Sequence, residues 1–223
     1  MAETKKAQEL IRTNEEIAAD NKRLMEENGV IMVNLIGESG TGKTTILEKV
    51  LPLLKAKLNI SVIEGDIDAP DAGKRIAVLG VDAVRVDTRG ALCLDAAMVN
   101  EALRQLPLGN VDLVVVENVG NLNCSAEVDL GGDLKIIVSG VTEGMDLPSR
   151  HSMAFQNASV ALISKIDLLP HGEFNLLAYI EQLVAINAGL KIFPLSALVG
   201  EGIEELSNFI GRMVWKKRRN LAA

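Results

Sequence analysis

The sequence predicts an α/β fold, a single domain built on a doubly wound, mostly parallel sheet of about seven strands. Apolar runs rich in β-branched residues alternate with segments of helical periodicity along most of the chain, a pattern typical of parallel sheets with helices on both faces. At 223 residues with 48% hydrophobic residues, the chain can bury one full core, and two domains would be cramped. We divide it into an N-terminal surface helix over residues 1–29 and one domain over residues 30–223.

Composition and charge narrow the class of protein. The net charge is −7 with a pI near 5, which argues against nucleic acid or an anionic membrane as the main partner, because both are negatively charged. No apolar run reaches the length of about 18 residues that spans a bilayer, and the N-terminus lacks a signal-like apolar core. We therefore expect a cytoplasmic protein. Its two cysteines are then expected as metal ligands, reactive thiols or core residues rather than as a structural disulfide.

The N-terminal 28 residues are charged and periodic, with a narrow apolar stripe that includes Ile17, Leu24 and Met25. This pattern predicts a surface helix packed on the domain, and Gly29 is the residue expected to end it. At the other end of the chain, the basic cluster at residues 216–219 suits the C-terminus of a helix, where cations are favoured.

A glycine-rich loop predicts a phosphate-binding site. An apolar strand at residues 30–36 leads into Gly37, and Gly42-Lys43-Thr44 then completes G-x-x-x-x-G-K-[ST] before a segment with helical periodicity. Backbone N–H groups of such a loop contact phosphate oxygens, Lys43 bridges the terminal phosphates and the Thr44 hydroxyl binds Mg²⁺. The predicted nucleotide contacts of the loop are Gly37, Glu38, Ser39, Gly40, Thr41, Gly42, Lys43, Thr44 and Thr45.

The helix after this loop contains Pro52, which we expect to bend or shorten it. A second strand near residues 60–63 then runs into Glu64-Gly65-Asp66. Ligands bind at the carboxyl ends of parallel strands, so Asp66 is a candidate Mg²⁺ ligand. Asp68 and Asp71 are weaker candidates because acidic residues in loops are usually solvated.

A short third strand at residues 83–86 is followed by a loop that holds Cys93 and by a helix to about residue 106. The fourth strand, from residue 111, ends in Glu117, with Gly120 three residues later. This is the Walker-B position, where a carboxylate faces the nucleotide-bound Mg²⁺. We assign catalytic roles to Lys43, Glu117 and Asp66, and we expect Gly120 to lie where a loop senses the terminal phosphate.

Three further strands are predicted at residues 134–138, 160–164 and 191–195, with a final helix over residues 202–215. The sixth strand runs into Lys165-Ile-Asp167, which is similar to the guanine-reading N-K-x-D element with Ser164 in place of asparagine. An aspartate accepts both N–H donors on the Watson–Crick edge of guanine, a pair that adenine lacks, so Asp167 favours GTP over ATP. Ser196-Ala197 after the last strand resembles the loop whose backbone N–H contacts guanine O6.

Several motifs together resemble the HypB family of hydrogenase nickel-insertion GTPases, and in part the related urease GTPases. They are the phosphate loop, E-G-D, L-D-A, V-E-N-V-G-N-L followed by a cysteine two residues on, V-T-E-G and K-I-D-L-L-P, from about residue 21 to the C-terminal helix. The resemblance implies a P-loop GTPase of the SIMIBI-like class that forms a homodimer with nucleotide. It further implies GTP or GDP and Mg²⁺ as cofactors, and a client metalloenzyme that receives nickel.

The chain also departs from this family. The family's C-H-L-D-A corresponds to Leu92-Cys93-Leu-Asp-Ala, and its C-P corresponds to Cys124-Ser. In the first switch loop, D-A-x-R becomes Asp71-Ala-Gly-Lys-Arg75. We expect Cys93 and Cys124 to hold Zn²⁺ or Ni²⁺ at the dimer interface, with Zn²⁺ favoured because four thiolates suit its tetrahedral geometry.

Two alternatives remain open from the sequence. One is a GTPase that protects a cobalamin or other metalloenzyme and has no transition-metal site of its own. The other is a P-loop kinase of a small metabolite, although no clear lid is present. His151 and His171 lack ligand spacing. The motifs contain no arginine finger, so we expect slow hydrolysis.

Overall fold

The computed structural model describes residues 2–66 and 72–221, with side chains described for residues 13–65 and 75–219. The described strands are β1 (Ile31–Ile36), β2 (Ile60–Asp66), β3 (Asp82–Asp87), β4 (Leu113–Glu117), β5 (Leu134–Gly140), β6 (Val160–Ser164) and β7 (Lys191–Pro194). They form one sheet in the order β3-β2-β4-β1-β5-β6-β7, and all neighbouring pairs are parallel. The predicted fold class is confirmed.

The described helices connect these strands. They are α1 (Ala2–Glu27), α2 (Lys43–Lys55), α3 (Ala72–Ala77), α4 (Ala96–Leu103), α5 (Leu122–Glu127), α6 (Leu147–Arg150), α7 (Ser152–Gln156), α8 (Leu176–Ile186) and α9 (Ile203–Leu221). Helix α2 continues through Pro52 and ends at Lys55, three residues later. None of the helices in the described ranges is long and apolar enough to cross a membrane.

Alternation along the strands divides the core between the two faces of the sheet. On β1, Val33 and Leu35 face the layer that contains α2, α3 and α9. Met32 and Ile36 face the opposite layer, in which α1 and α4 lie beside one half of the sheet and α5, α7 and α8 beside the other. Since side chains alternate with a period of two, each buried strand supplies apolar residues to both layers.

The described part of α1 packs on the domain as predicted. Gly29 ends it with a φ of 68°, a left-handed conformation that glycine adopts without strain. Buried Asn21 donates from Nδ2 to the carbonyl oxygens of Ala96 and Leu130 at 2.9 and 3.1 Å. Its Oδ1 accepts a 2.7 Å hydrogen bond from Asn100, so one polar side chain joins α1 to α4 and to the loop before β5.

The basic cluster at the end of α9 forms ion pairs with the amino edge of the sheet. Lys217 Nζ lies 2.8 Å from Asp133 Oδ1 and 2.7 Å from the carbonyl oxygen of Val30. Arg218 pairs with Asp112 at 2.5 Å. These contacts hold the C-terminal helix against the edge opposite to the phosphate loop.

The strand order brings the predicted motifs together. Central β1 lies between β4 and β5, so the loop after β1 lies between the Walker-B segment after β4 and the V-T-E-G segment after β5. All three segments leave the same, carboxyl edge of the sheet, where open parallel sheets bind their ligands.

Candidate functional site

Two glycines at the tip of the phosphate loop face open space. Gly40 and Gly42 have φ values of 82° and 97°, and, chain neighbours aside, no atom of the described residues lies within 4 Å of where a Cβ would stand. Gly37 faces the protein instead, because a Cβ there would come within 2.5 Å of the carbonyl oxygen of Val138. The loop is therefore packed on β5 at its start and open at its tip, at the N-terminus of α2, where anions bind.

Lys43 lies across this loop. Its Nζ donates to the carbonyl oxygens of Gly37 and Glu38 at 2.9 and 3.0 Å, and the residue is only 8% exposed. Burial lowers the pKa of Lys43, while the nearby carboxylates of Glu117, Glu143 and Glu38 act in the opposite direction. A bound polyphosphate would offset this cost by supplying negative charge where the buried ammonium group needs it.

Thr44 and Glu117 meet at the predicted magnesium position. Thr44 Oγ1 donates a 2.5 Å hydrogen bond to Glu117 Oε1. The contact follows from the pairing of β1 with β4, which places Leu35 opposite Glu117 just before the phosphate loop. A hydroxyl and a carboxylate this close form the oxygen donor set that Mg²⁺ prefers.

Asp66, the third predicted magnesium ligand, is the last residue of β2. Its side chain, together with Asp68 and Asp71, lies outside the described residues. Register places Glu64, two residues earlier, opposite Glu117 on the neighbouring strand. Asp66 therefore lies two residues beyond the position that pairs with Glu117, toward the carboxyl edge of the sheet. Its role as a Mg²⁺ ligand stays a prediction.

Gly120 packs directly on the phosphate loop. A Cβ at this position would lie 2.8 Å from Ser39 Cα and 2.9 Å from Ser39 N. No larger residue fits without moving one of the two segments. The segment after β4 is thus in backbone contact with the predicted phosphate-binding loop.

The predicted guanine-reading residues come together beyond β6 and β7. Ser196, which is fully buried, donates its hydroxyl proton to Asp167 Oδ1. Lys165 adopts a left-handed conformation with a φ of 62° and its Nζ lies 3.3 Å from Thr142 Oγ1. The Ser196 N–H is already bonded to the carbonyl oxygen of Glu201 at 2.9 Å, so the predicted contact from this loop to guanine O6 falls to a later N–H such as that of Ala197.

Ser164 has a role that the sequence did not reveal. It stands where the guanine-reading element usually has asparagine, and its Oγ donates a 2.7 Å hydrogen bond to the carbonyl oxygen of Thr41. The side chain therefore connects β6 to the phosphate loop and does not face the base position. Discrimination of guanine by Asp167 stays a prediction.

Glu143 of the V-T-E-G segment is a further charged group at the site. Its Oε2 accepts a 2.5 Å hydrogen bond from the N–H of Gly140 at the end of β5. Burial raises the pKa of Glu143, although that hydrogen bond and the charges of Lys165 and Lys43 act in the opposite direction. Glu143 belongs to a motif that carries the family resemblance, but the sequence alone predicted no role for it.

The two cysteines correct one expectation. The sequence predicts Cys93 and Cys124 as metal ligands, reactive thiols or core residues, yet their sulfurs form a disulfide with Cα atoms 5.8 Å apart. Both residues lie at the carboxyl edge as predicted, Cys93 in the loop after β3 and Cys124 on α5 just after β4. Only β2 separates those two strands, so the segments meet at a distance that a disulfide spans.

Asn118 joins the Walker-B segment to the cysteine loop. Its Oδ1 accepts hydrogen bonds from the N–H groups of Leu94 and Val119 at 3.0 and 2.9 Å, and its Nδ2 donates to Asn34 Oδ1 at 3.3 Å. Leu94 also fills the space beside Gly65, where a Cβ would come within 2.8 Å of its side chain. The residue after Cys93 is therefore fixed both by packing and by a hydrogen bond from the Walker-B segment.

Other candidate ligands do not assemble into a site. Within the described side chains, no group of three or more histidine, cysteine, aspartate or glutamate residues is placed to hold a metal ion. Arg75, on α3, is the arginine of the switch-loop element, to which the sequence assigns no contact. It contacts Glu48 and Thr45 on α2, and only its position in space, not its spacing in sequence, reveals this.

Comparison with known families gives a consistent match. A family model described as the nucleotide-binding domain of CobW/HypB/UreG matches residues 31–194. The hydrogenase maturation factor HypB of Azotobacter chroococcum is 38% identical over 205 residues, which cover 92% of this chain and 67% of that protein. The chain thus spans about two thirds of the length of such bacterial relatives.

Solved structures agree with this match. The crystal structure of hydrogenase maturation factor HypB from Archaeoglobus fulgidus superposes with a TM-score of 0.85 at 28% identity, covering 91% of this chain and 99% of that one. HypB from Helicobacter pylori, crystallised in complex with nickel, superposes with a TM-score of 0.84 at 30% identity, covering 93% and 96% of the two chains.

Proposed function

Because the chain belongs to the CobW/HypB/UreG family of nucleotide-binding proteins, we propose that it is a GTP-hydrolysing metallochaperone for nickel insertion into a metalloenzyme. The resemblance predicted from the motifs is confirmed by that membership. The proposed client is a NiFe hydrogenase, since relatives 38% identical to this chain are named hydrogenase maturation factors. Nickel as cargo is supported by the nickel complex of the H. pylori relative.

The observation that carries the nucleotide assignment is the fixed pair of Asp167 and Ser196 at the same sheet edge as the open phosphate loop. The Ser196 hydroxyl uses one lone pair of Asp167 Oδ1, so the carboxylate still has lone pairs to accept both N–H donors of guanine. Phosphates would lie on the loop N–H groups and on Lys43. This arrangement favours a guanine nucleotide over an adenine nucleotide.

The residues at the phosphate end fit a bound Mg²⁺. Thr44 and Glu117 already bring two oxygens together, and Asp66 is the proposed third ligand. When bound, Mg²⁺ would neutralise negative charge on the terminal phosphates. Lys43 holds the same phosphates, and Gly120 keeps the following segment close to the loop. Together they supply the positioning that phosphoryl transfer to water requires.

The proposed metal site requires the reduced form of the protein. In the disulfide neither sulfur is a thiolate, and the thiolate is the form that binds metal. A thiol or phosphine reductant supplies two electrons, and two protons complete the two thiols. A nucleotide-promoted homodimer with a two-fold axis near this edge would then bring four thiolates together, which suit Zn²⁺ more closely than Ni²⁺.

The disulfide also supports a second candidate function. A GTPase that acts on a cobalamin or other metalloenzyme needs no transition-metal site of its own, and its cysteines could remain bonded. Metal analysis of the reduced protein separates the two functions. Binding of one metal per dimer favours the metallochaperone, and no binding favours the second candidate.

The nucleotide assignment is tested by competition. Fluorescent GDP is bound to the wild-type protein with Mg²⁺ and then displaced by GTP or by ATP, with Lys43→Ala as the variant that should lose phosphate binding. We expect GTP to displace at far lower concentration than ATP. Equal displacement by both nucleotides would exclude the guanine-specific function.

A further inference from the structure

Arg75 lies beside the helix that begins at the phosphate loop. Its Nε and Nη2 atoms lie 2.6 Å from the two carboxylate oxygens of Glu48, one nitrogen on each oxygen. The Nη2 atom also lies 3.4 Å from Thr45 Oγ1. The guanidinium group therefore contacts α2 within its first two turns and reaches the residue that follows the magnesium-binding Thr44.

The charge of Arg75 is linked electrostatically to the site. The hydrogen bond to Glu48 is the main reason that the pKa of Arg75 is raised, and the charge of Glu117 also raises it. The guanidinium group thus remains charged and lies within the field of the Walker-B carboxylate. A cation in this position would be attracted to the polyphosphate of a nucleotide bound at the same helix N-terminus.

The ion pair with Glu48 is of a kind that a phosphate can replace. The Arg75 and Glu48 side chains are 44% and 26% exposed, so solvent weakens their attraction. A guanidinium group binds phosphate with the same two-pronged geometry that it uses for a carboxylate. Glu48 lies about one helical turn, a rise of about 5.4 Å, beyond Thr44. Rotation of the long Arg75 side chain would therefore carry its guanidinium group from Glu48 toward the start of α2.

We propose that Arg75 is a catalytic arginine supplied by the chain itself, held by Glu48 without nucleotide and transferred to the phosphate oxygens of bound GTP. This inference rests on the proposed GTP hydrolysis. In that reaction a water oxygen bonds to the γ-phosphorus, and the bond from that phosphorus to the β–γ bridging oxygen breaks. GDP keeps the bridging oxygen with the electron pair, the water protons pass to phosphate and solvent, and Arg75 stabilises the developing negative charge without exchanging a proton.

The experiment measures single-turnover GTP hydrolysis at saturating nucleotide and Mg²⁺ for wild type, Arg75→Ala, Arg75→Lys, Glu48→Gln and the double variant Arg75→Ala with Glu48→Gln. Arginine fingers contribute about 10³- to 10⁵-fold when fully engaged. We expect Arg75→Ala to lower the hydrolysis rate at least about tenfold while its GDP affinity stays nearly unchanged. The rate of Arg75→Lys should lie between those of wild type and Arg75→Ala. Glu48→Gln should raise the rate by about two- to fivefold, because it releases the arginine from its competing partner.

The double variant should behave like Arg75→Ala, since Glu48 acts only through the arginine. Arg23→Ala is the control, because it removes a distant exposed ion pair with Asp20, and its hydrolysis should match wild type. A purely structural contact between α3 and α2 predicts that Arg75→Ala and Glu48→Gln lower the melting temperature alike and leave hydrolysis by folded protein unchanged. That outcome, or a loss of rate in Glu48→Gln, would overturn the proposal.

The two levels of inference fail in different ways. A wild-type protein that binds GTP without hydrolysing it removes the proposed enzymatic function, and the role of Arg75 with it. A wild-type protein that hydrolyses GTP as fast as Arg75→Ala removes only the role of Arg75.

Discussion

The Ser164 hydroxyl donates a 2.7 Å hydrogen bond to the carbonyl oxygen of Thr41, so the strand that precedes the predicted base-reading residues is joined to the predicted phosphate-binding loop. Both ends of the proposed nucleotide site are thereby fixed relative to each other. A hydrogen bond of this kind contributes about 0.5–1.5 kcal/mol.

Ser164→Ala should therefore weaken GTP and ATP binding by a similar factor, about two- to tenfold, while their ratio stays constant. Ser149→Ala is the matched control, because the Ser149 hydroxyl makes an exposed bond to the carbonyl oxygen of Asp146. Isothermal titration measures both affinities. A change confined to GTP would show that Ser164 contacts the base instead.

Asp167→Asn should relax selectivity toward xanthine nucleotides, because the amide donates where the carboxylate accepted. Ser196→Ala is expected to weaken GTP binding without this change of selectivity, since it removes only the hydroxyl that fixes Asp167. Competition among GTP, XTP and ATP measures both effects. Retention of full guanine preference by Asp167→Asn would place base recognition elsewhere.

Glu117→Gln should raise the Mg²⁺ concentration for half-maximal hydrolysis by about tenfold, because a neutral amide is a poorer partner for the cation and for Thr44. Lys43→Ala should abolish hydrolysis outright. Glu101→Gln, an exposed change on α4, serves as the control. An unchanged Mg²⁺ dependence in Glu117→Gln would remove that residue from the magnesium site.

The cysteine prediction compares oxidised and reduced protein by equilibrium dialysis with Zn²⁺ or Ni²⁺. Reduced wild type with a GTP analogue should bind one metal per dimer, more tightly for Zn²⁺, whereas oxidised protein and protein with GDP should bind less. Cys93→Ala and Cys124→Ala should each lose binding in the reduced state. If both variants bind metal like wild type, the cysteines are not the ligands.

Glu143→Gln should stabilise the nucleotide-free protein near neutral pH. Burial raises the folded-state pKa of Glu143, so the folded state holds more protons than the unfolded state just above the ordinary glutamate pKa, and stability falls as pH rises through that window. The gain in melting temperature of the variant should be present at pH 7.5 and vanish toward pH 4. A gain that is equal at all pH values would mean that charge is not its cause.

The sequence predicted the fold well because its signals are local. Apolar runs marked all seven strands, and the phosphate loop, Glu117 and Asp167 each lie within a short motif that fixes their position along the chain. The parallel sheet then carries these motifs to one edge. Any residue that directly follows a strand in this fold is placed there without knowledge of side-chain contacts.

What the sequence did not reveal depends on contacts between distant segments. The disulfide joins residues separated by 31 positions, and the expectation of free thiols came from the assumed compartment rather than from distance. The sequence placed Arg75 in the first switch loop but did not reveal its contact with Glu48 on α2, 27 positions away. The role of Ser164 required the three-dimensional position of Thr41, because its motif position pointed toward the base.

The bond from Leu94 to Asn118 has a thermodynamic consequence. Thr44 bonds to Glu117, the adjacent Asn118 bonds to Leu94, and Leu94 is adjacent to Cys93, so two hydrogen bonds connect the phosphate end to a cysteine. If nucleotide changes the metal affinity of the reduced cysteines by some factor, metal must change nucleotide affinity by that same factor. Titrating GTP against reduced protein with and without Zn²⁺ therefore measures the factor by which metal changes nucleotide affinity. In an Asn118→Ala variant, this factor and the factor by which nucleotide changes metal affinity should both fall toward one.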